Sequence, residues 1–225
     1  MDSSKDEENI INYEKSKEYW QKVDATNSGM LGNLTYVSLS DIQGSSNFLK
    51  QIFKLKPAPG KERSLDCGSG IGRVTKNLLI HKFKKVDLLE QDERFCEKAR
   101  EALSNTDQLG EIFNIGLQDF TENIPTWDVV WCQWCLLYLE DNDLVQFLIK
   151  ISKCLNRNGV IIIKENFTKS DEVIYDQEDA SVTRTLHSFK EIVKKSNLRI
   201  IKEMKQNNFP KELFPVYMFA LRPNK

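Results

Sequence analysis

Short apolar runs alternate with longer amphipathic stretches from residue 61 to the end of the chain. That alternation predicts an α/β fold: a doubly wound, Rossmann-like, seven-stranded and mostly parallel sheet with helices on both faces. Strands are predicted at 63–67, 85–90, 111–116, 127–133, 159–165, 198–205 and 215–222, and helices at 71–82, 92–104, 141–155 and 185–196. Val160-Ile-Ile-Ile163 is wholly β-branched and apolar, as a strand buried on both faces requires. Asn158-Gly159 ahead of it is a turn signal that would also end the preceding helix. Pro210 and Pro215 separate the last two strands, which predicts an antiparallel hairpin closing one edge. The first 60 residues lose this rhythm. Helical spacing appears only at 12–22 and 41–54, around a loop Gly29-Met30-Leu31-Gly32, so residues 1–60 read as a helical extension packed across a 61–225 core. No repeat, low-complexity tract or linker divides the chain, and one domain is expected.

Charge narrows the partners. Lys+Arg number 32 and Asp+Glu 33, giving a net charge of −1, so no bulk field draws nucleic acid or an anionic membrane. No apolar run approaches membrane-spanning length, and Met1-Asp-Ser-Ser-Lys-Asp-Glu-Glu8 lacks an apolar signal core, which predicts a soluble protein that is not secreted. Five cysteines, at 67, 96, 132, 135 and 154, are scattered over predicted core elements, as in a reducing compartment such as cytosol or nucleus. Cys132-Gln-Trp-Cys135 has the spacing of a metal or redox pair, but there is no second such pair and only two histidines. Buried thiols and no metal are the expectation.

The densest chemistry lies at the first strand. Asp66-Cys-Gly68-Ser-Gly70-Ile-Gly72-Arg73 places three glycines where a strand turns into a helix expected from about Ile71, allowing close backbone approach to a ligand. The next apolar run ends at Glu90, 22 residues beyond Gly68, the spacing of an acid that holds ribose hydroxyls. Beyond the other strand ends stand Leu117, Gln118 and Asp119, then Gln133 and Trp134. Asp119 is placed to meet an exocyclic amine, Leu117 a base, and Arg73 a carboxylate in bidentate fashion. Ribose, adenine and an amino-acid carboxylate together describe S-adenosylmethionine better than a dinucleotide. The glycine spacing also departs from the dinucleotide pattern and resembles the first motif of class I methyltransferases. NAD remains the alternative.

The acceptor is read from the later segments. No [Asn/Asp]-Pro-Pro-aromatic tetrapeptide follows the fourth strand; Trp131-Cys-Gln-Trp134 stands there instead, offering indole to a cation or to a flat pyrrolidine ring. Five acids fall between 171 and 179 without a basic residue, an acidic rim that would attract a basic peptide. Trp20 with Gly29-Met-Leu-Gly32, the glycine loop, Gly116-Leu-Gln-Asp-Phe120, Trp131-Cys-Gln-Trp134, Lys164-Glu-Asn166, Asp179-Ala-Ser-Val-Thr-Arg184 and Phe219-Ala-Leu-Arg222 occur in the order found in one family. From about residue 13 to 222 the chain resembles the N-terminal Xaa-Pro-Lys protein N-methyltransferases.

The resemblance implies methyl transfer from S-adenosylmethionine to the α-amine of proteins beginning Xaa-Pro-Lys, ribosomal proteins being typical, by a monomeric enzyme. It assigns the cofactor to Gly68, Gly70, Arg73, Glu90, Leu117, Gln118, Gln133 and Trp20. It assigns the peptide to Trp134 (proline), Asn166 (backbone near the amine), Asp176 and Asp179 (lysine), with Ser181, Leu31 and Leu213 lining the channel. Asp179, Asn166 and Tyr138 form the expected catalytic group, with Asp179 as proton acceptor. Tyr138 stands where the family usually has His, and a tyrosine that stays protonated to about pH 10 is a poor base at neutrality. The competing readings are a small-amine methyltransferase, which would show a compact apolar pocket, and a cofactor-binding module without catalysis.

Overall fold

The computed structural model describes residues 11–122 and 125–224. The start of the predicted extension, residues 1–10, lies outside them. The strands are β1 (Arg63–Cys67), β2 (Lys85–Leu89), β3 (Leu109–Phe113), β4 (Trp127–Gln133), β5 (Leu155–Asn166), β6 (Ile174–Asp176), β7 (Ser181–Thr183), β8 (Leu198–Lys205) and β9 (Val216–Pro223). Seven of them form one sheet in the order β3-β2-β1-β4-β5-β9-β8, parallel except where β9 inserts antiparallel beside β5 and pairs with β8. The closing hairpin predicted from the two prolines is therefore present, with its second strand on the inside.

Residues 160–163 are fully buried at the centre. Successive side chains point to opposite faces, so this one run feeds two cores. Ile161 and Ile163 join Leu65, Val130, Phe147, Phe189 and Phe219 on one side. Val160 and Ile162 join Phe48, Ile52, Val86, Trp131 and Met218 on the other. The helices are α1 (Tyr13–Lys22), α2 (Asn27–Met30), α3 (Ser38–Ile52), α4 (Arg73–Asn77), α5 (Glu93–Ala102), α6 (Asp141–Lys153) and α7 (Leu186–Lys195). The last two supply Phe147 and Phe189 to the first core, and α3 supplies Phe48 and Ile52 to the second.

Several boundaries differ from the sequence reading for identifiable reasons. The helix predicted at 71–82 is only α4, followed by a 3-10 turn at Leu79–His81. Gly72 at φ 75 is its left-handed N-cap, and Leu78 leaves helical geometry as Leu78 and Leu79 turn into the core. β3 starts two residues early because Leu109 already pairs with Val86; the register then shifts, and there Asp87 Oδ1 accepts the Glu111 N–H at 2.8 Å, with a Cβ on Gly110 only 2.0 Å from the same oxygen. Asn158-Gly159 does not end α6. Asn158, at φ 65, lies within β5, where pairing with β4 shifts register between Trp127 and Val129. The predicted loop at 29–32 contains the one-turn α2, and the acidic segment carries the antiparallel hairpin β6–β7.

Candidate active site

At the carboxyl ends of β1, β2 and β4 lies an open cleft. The parallel strands all end here, which is where open α/β sheets bind ligands. Gly68, Gly70, Arg73, Glu90, Leu117, Gln118, Gln133 and Trp20, the eight residues predicted to hold a cofactor, all line it, together with Trp134 and Tyr138. Tyr13, Ser16 and Trp20 roof it from α1. That helix is held down by Tyr13 Oη donating to Asp143, by Arg94 Nη2 donating to the Trp20 carbonyl at 2.9 Å, and by edge-on contacts of the Trp20 ring with Phe95 and Tyr138.

Conformation requires both glycines and space requires Gly68, since the Met30 sulfur opposite Gly70 is the movable end of a side chain. Gly68 sits at φ 57, and a Cβ there would be 2.4 Å from Cys135 Cβ; Gly70 sits at φ 54, and its Cβ would be 2.6 Å from Met30 Sδ. Glu90 accepts the Gly70 N–H at 2.8 Å and the Asp92 N–H at 3.0 Å, so the acid at the end of β2 also fixes the glycine loop. Burial raises its carboxyl above the usual range, against the pull of those N–H groups. Asp66 is pushed up to about 7 by burial, opposed first by the 2.6 Å hydrogen bond from Thr75 Oγ1.

Polar groups in the wall remain unspent. Ser69 Oγ and Trp134 Nε1 are buried and have no hydrogen-bond partner within the protein, and Arg73 Nη1 has only an ion pair with Asp41 Oδ2 at 2.8 Å, not aligned as a hydrogen bond. Unpaired buried donors and acceptors are costly, so a polar ligand is the natural complement. With Leu89, Phe95, Ile115 and Leu117 for an apolar ring system and Glu90 for hydroxyls, the donor set fits S-adenosylmethionine.

Other expected residues lie elsewhere. Asp119 is exposed beside the cleft-lining Gln118, accepts from its Nε2 at 3.1 Å, and does not itself line the cleft. Asn166, Asp176, Asp179, Ser181, Leu31 and Leu213 also lie outside the cleft lining. Asp179 is joined to it, because Tyr138 Oη donates to Asp179 Oδ2 at 2.9 Å, while Asp179 Oδ1 accepts the Ser181 N–H at 3.0 Å. The hairpin meets the roof through Tyr138, which bonds Asp179 and packs edge-on against Trp20 of α1; the Tyr19 phenol there is raised by burial first and then by Asp179, Glu178 and Asp176. Asn166 ends β5 beside a small void shared with Leu136 and Arg184. Leu31 is buried behind α2, and Leu213 is half-buried in the loop before β9. Cys132 and Cys135 are buried and their thiols are raised well above the ordinary value, for Cys132 mainly by burial and for Cys135 mainly by the Cys132 thiol. Among the described residues no group of three His, Cys, Asp or Glu could hold a metal ion.

Sequence reasoning assigned no role to Asp41, Lys164 or Glu165. The available signals were an acid on the buried face of α3, in line with Ser45, Phe48 and Ile52, and two charges directly after the apolar centre of β5. Glu165 Oε1 accepts the N–H groups of Cys135 and Leu136, both at 2.9 Å, while Arg184 donates to the carbonyls of Leu136 and Leu139. The segment carrying Trp134 and Tyr138 is thus clamped on its donor and its acceptor side. Burial pushes the Glu165 carboxyl up to about 7, opposed most by the Leu136 and Cys135 N–H groups. An unfolded Glu titrates at about 4.3, so between those values only the folded state holds the proton. Its contribution is therefore full below about pH 4 and is lost as pH rises to about 7. Glu165→Gln should remove that slope: urea unfolding should show the variant gaining about 3 kcal/mol relative to wild type between pH 4.5 and pH 8. An equal difference at both pH values would mean that Glu165 ionises normally in the fold.

A seven-stranded sheet of this order, with a glycine-walled cleft ending in an acid, defines a class I S-adenosylmethionine-dependent methyltransferase. A solved S-adenosylmethionine-dependent methyltransferase from Leishmania major is similar with a TM-score of 0.88 and 38% identity, covering 93% of this chain and 82% of that one. Another from Clostridium acetobutylicum, at 0.68 and 14% identity over 88% and 96%, shares the fold. The model of the family described as AdoMet dependent proline di-methyltransferase matches residues 7–222, and the chain belongs to that family. Alpha N-terminal protein methyltransferase 1 of Drosophila melanogaster is 48% identical over 94% of this chain and 76% of its own length. N-terminal Xaa-Pro-Lys N-methyltransferase 1 of Xenopus tropicalis is 38% identical over 93% and 95%.

Proposed function

We propose that this enzyme methylates the α-amine of protein chains that begin Xaa-Pro-Lys, the specificity named for its Xenopus relative. One observation carries the reading: the acidic hairpin meets the cofactor cleft directly, through the Tyr138–Asp179 hydrogen bond. A cationic chain end entering there is drawn by Asp176, Glu178 and Asp179 toward the indole of Trp134. Trp134 adopts φ 53, a costly conformation for a bulky residue, and its amide is tied to the Lys164 carbonyl at 3.0 Å. That turn presents the ring partly exposed in the cleft wall, where it packs on the second-position proline. Asn166 holds the peptide backbone, Asp176 meets the lysine, and Ser181, Leu31 and Leu213 line the path. Tails of ribosomal proteins suit this chemistry, as does a monomer in the cytosol or nucleus.

S-adenosylmethionine, when bound, supplies an electrophilic methyl group on a sulfonium. The chain's own task is to present a neutral nitrogen in line with it. About 10–20% of free α-amines are neutral near pH 7, and an acidic pocket lowers that fraction. Tyr138 is no base: burial first, and then Asp179, push its phenol well above 10. It stays protonated and donates to Asp179, which holds that carboxylate toward the ammonium. Asp179 then takes the proton, directly or through water.

Incubating a Ser-Pro-Lys peptide with S-adenosylmethionine should give mass shifts of whole methyl groups, and an N-acetylated control should give none. Methylation of the blocked peptide would sink the proposal. Tyr138→His should move the acidic limb of the pH–rate profile down by about one unit, because imidazole titrates near 6.5. An unchanged profile would remove position 138 from proton handling.

A further inference from the structure

Beneath the cleft, three charged or polar side chains from three elements, Arg73 of α4, Gln133 of β4 and Lys164 of β5, share one carboxylate. Asp41 of α3 is fully buried. Its Oδ1 accepts from Gln133 Nε2 at 2.9 Å and from Lys164 Nζ, and its Oδ2 lies 2.8 Å from Arg73 Nη1. Lys164, also fully buried, donates further to the Asp41 carbonyl at 3.0 Å and to Ser45 Oγ at 2.9 Å. Arg73 and Gln133 line the cleft, whereas Asp41 and Lys164 do not.

The charges in this cluster do not cancel. Two cations face one anion, all at most 6% exposed, where opposite charges interact far more strongly than in water. The Arg73–Asp41 contact is close but not aligned as a hydrogen bond, since Arg73 Nη1 and Asp41 Oδ2 both lack such a partner. Lys164 makes the aligned bonds and takes up the Asp41 charge. Burial depresses its ammonium below the ordinary lysine value, and the adjacent carboxylate opposes that. Asp66 also faces the Arg73 charge, but burial pushes its carboxyl up to about 7 and leaves its own charge partial at neutral pH, so a surplus of positive charge remains at Arg73. A buried surplus charge calls for an anion.

We propose that Lys164 and Asp41 are positioning residues for the cofactor's amino-acid carboxylate: Lys164 absorbs the charge of Asp41, and so leaves Arg73 electrostatically free to bind that carboxylate. Without Lys164, Arg73 and Asp41 would neutralise each other and the receptor would vanish, though neither cleft-lining side chain had changed. The N-terminal extension, through Asp41, thereby belongs to the cofactor site. This inference rests on the reading of the cleft as an S-adenosylmethionine site.

Calorimetry with two ligands tests it. S-adenosylhomocysteine carries the amino-acid carboxylate, and 5′-methylthioadenosine shares the nucleoside but lacks it. Lys164→Met should weaken S-adenosylhomocysteine by about tenfold or more and leave methylthioadenosine within about twofold. Adding Asp41→Asn to Lys164→Met removes the opposing charge as well and should restore S-adenosylhomocysteine to within about threefold of wild type. Equal loss of both ligands in Lys164→Met would show a role in the fold and overturn the proposal. Unchanged S-adenosylhomocysteine binding, or selective loss that Asp41→Asn does not rescue, would overturn it too. Failure of the wild type to bind either ligand would instead overturn the reading of the cleft.

Discussion

Asp179→Asn should lower kcat/KM for a Ser-Pro-Lys peptide about 100-fold and leave S-adenosylhomocysteine affinity within about twofold of wild type. The separation follows from position. Asp179 does not line the cofactor cleft, so losing its charge does not touch that ligand. It is also only partly exposed and already organised by Tyr138 Oη and the Ser181 N–H, so its carboxylate meets a cation with little reorganisation. Hydrogen bonds to charged groups in such settings are worth about 1.5–3 kcal/mol. Asp176 is exposed, and Asp176→Asn should cost no more than about fivefold. A rise confined to KM would make Asp179 a binding group, whereas a fall in kcat would make it the proton acceptor. Unchanged turnover would remove it from the mechanism.

The lining of the cleft was legible in the sequence, and the placement of the acidic hairpin beside it was legible only in part. Glycines and an acid at strand ends are read from local spacing, because strand, turn and helix fix their relative positions within some 25 residues. That is why Gly68, Gly70, Arg73 and Glu90 meet as expected. Asp41 and Lys164 are 123 residues apart, and nothing local joins them. Their meeting depends on how α3 crosses the sheet, which apolar periodicity does not specify. Glu165 was hidden for a related reason: its partners are backbone N–H groups, which every sequence offers equally.

The errors in element boundaries have a common origin. α4 is shorter than the apolar period implied because the backbone leaves helical geometry at Leu78, φ −138, and re-enters as a 3-10 turn at Leu79–His81 that still buries Leu78 and Leu79. β5 is longer because sheet pairing with β4 overrides the turn preference of Asn158-Gly159. In both cases tertiary packing decides between local conformations separated by about 1 kcal/mol. Neither change displaces the strand ends that carry the site.

Gly68→Ala should reduce S-adenosylhomocysteine affinity by at least about 100-fold, through two separable costs. The added Cβ would lie 2.4 Å from Cys135 Cβ and 3.1 Å from its Sγ, so either the glycine loop or the segment leading to Tyr138 must move. Both form cleft wall. The backbone cost is independent: at φ 57 an L-residue is less stable than glycine by about 1–2 kcal/mol. Cys135→Gly in the Gly68→Ala background removes the clashing atoms and leaves the Cys135 Cα 3.8 Å away, an ordinary contact. The double variant should therefore recover most of the affinity and remain about tenfold weaker than wild type, the share owed to φ alone. Full recovery would show that steric contact was the whole effect. No recovery, with the double variant still folded by near-ultraviolet circular dichroism, would mean that close approach of Gly68 to the ligand, rather than to Cys135, is what excludes a side chain there.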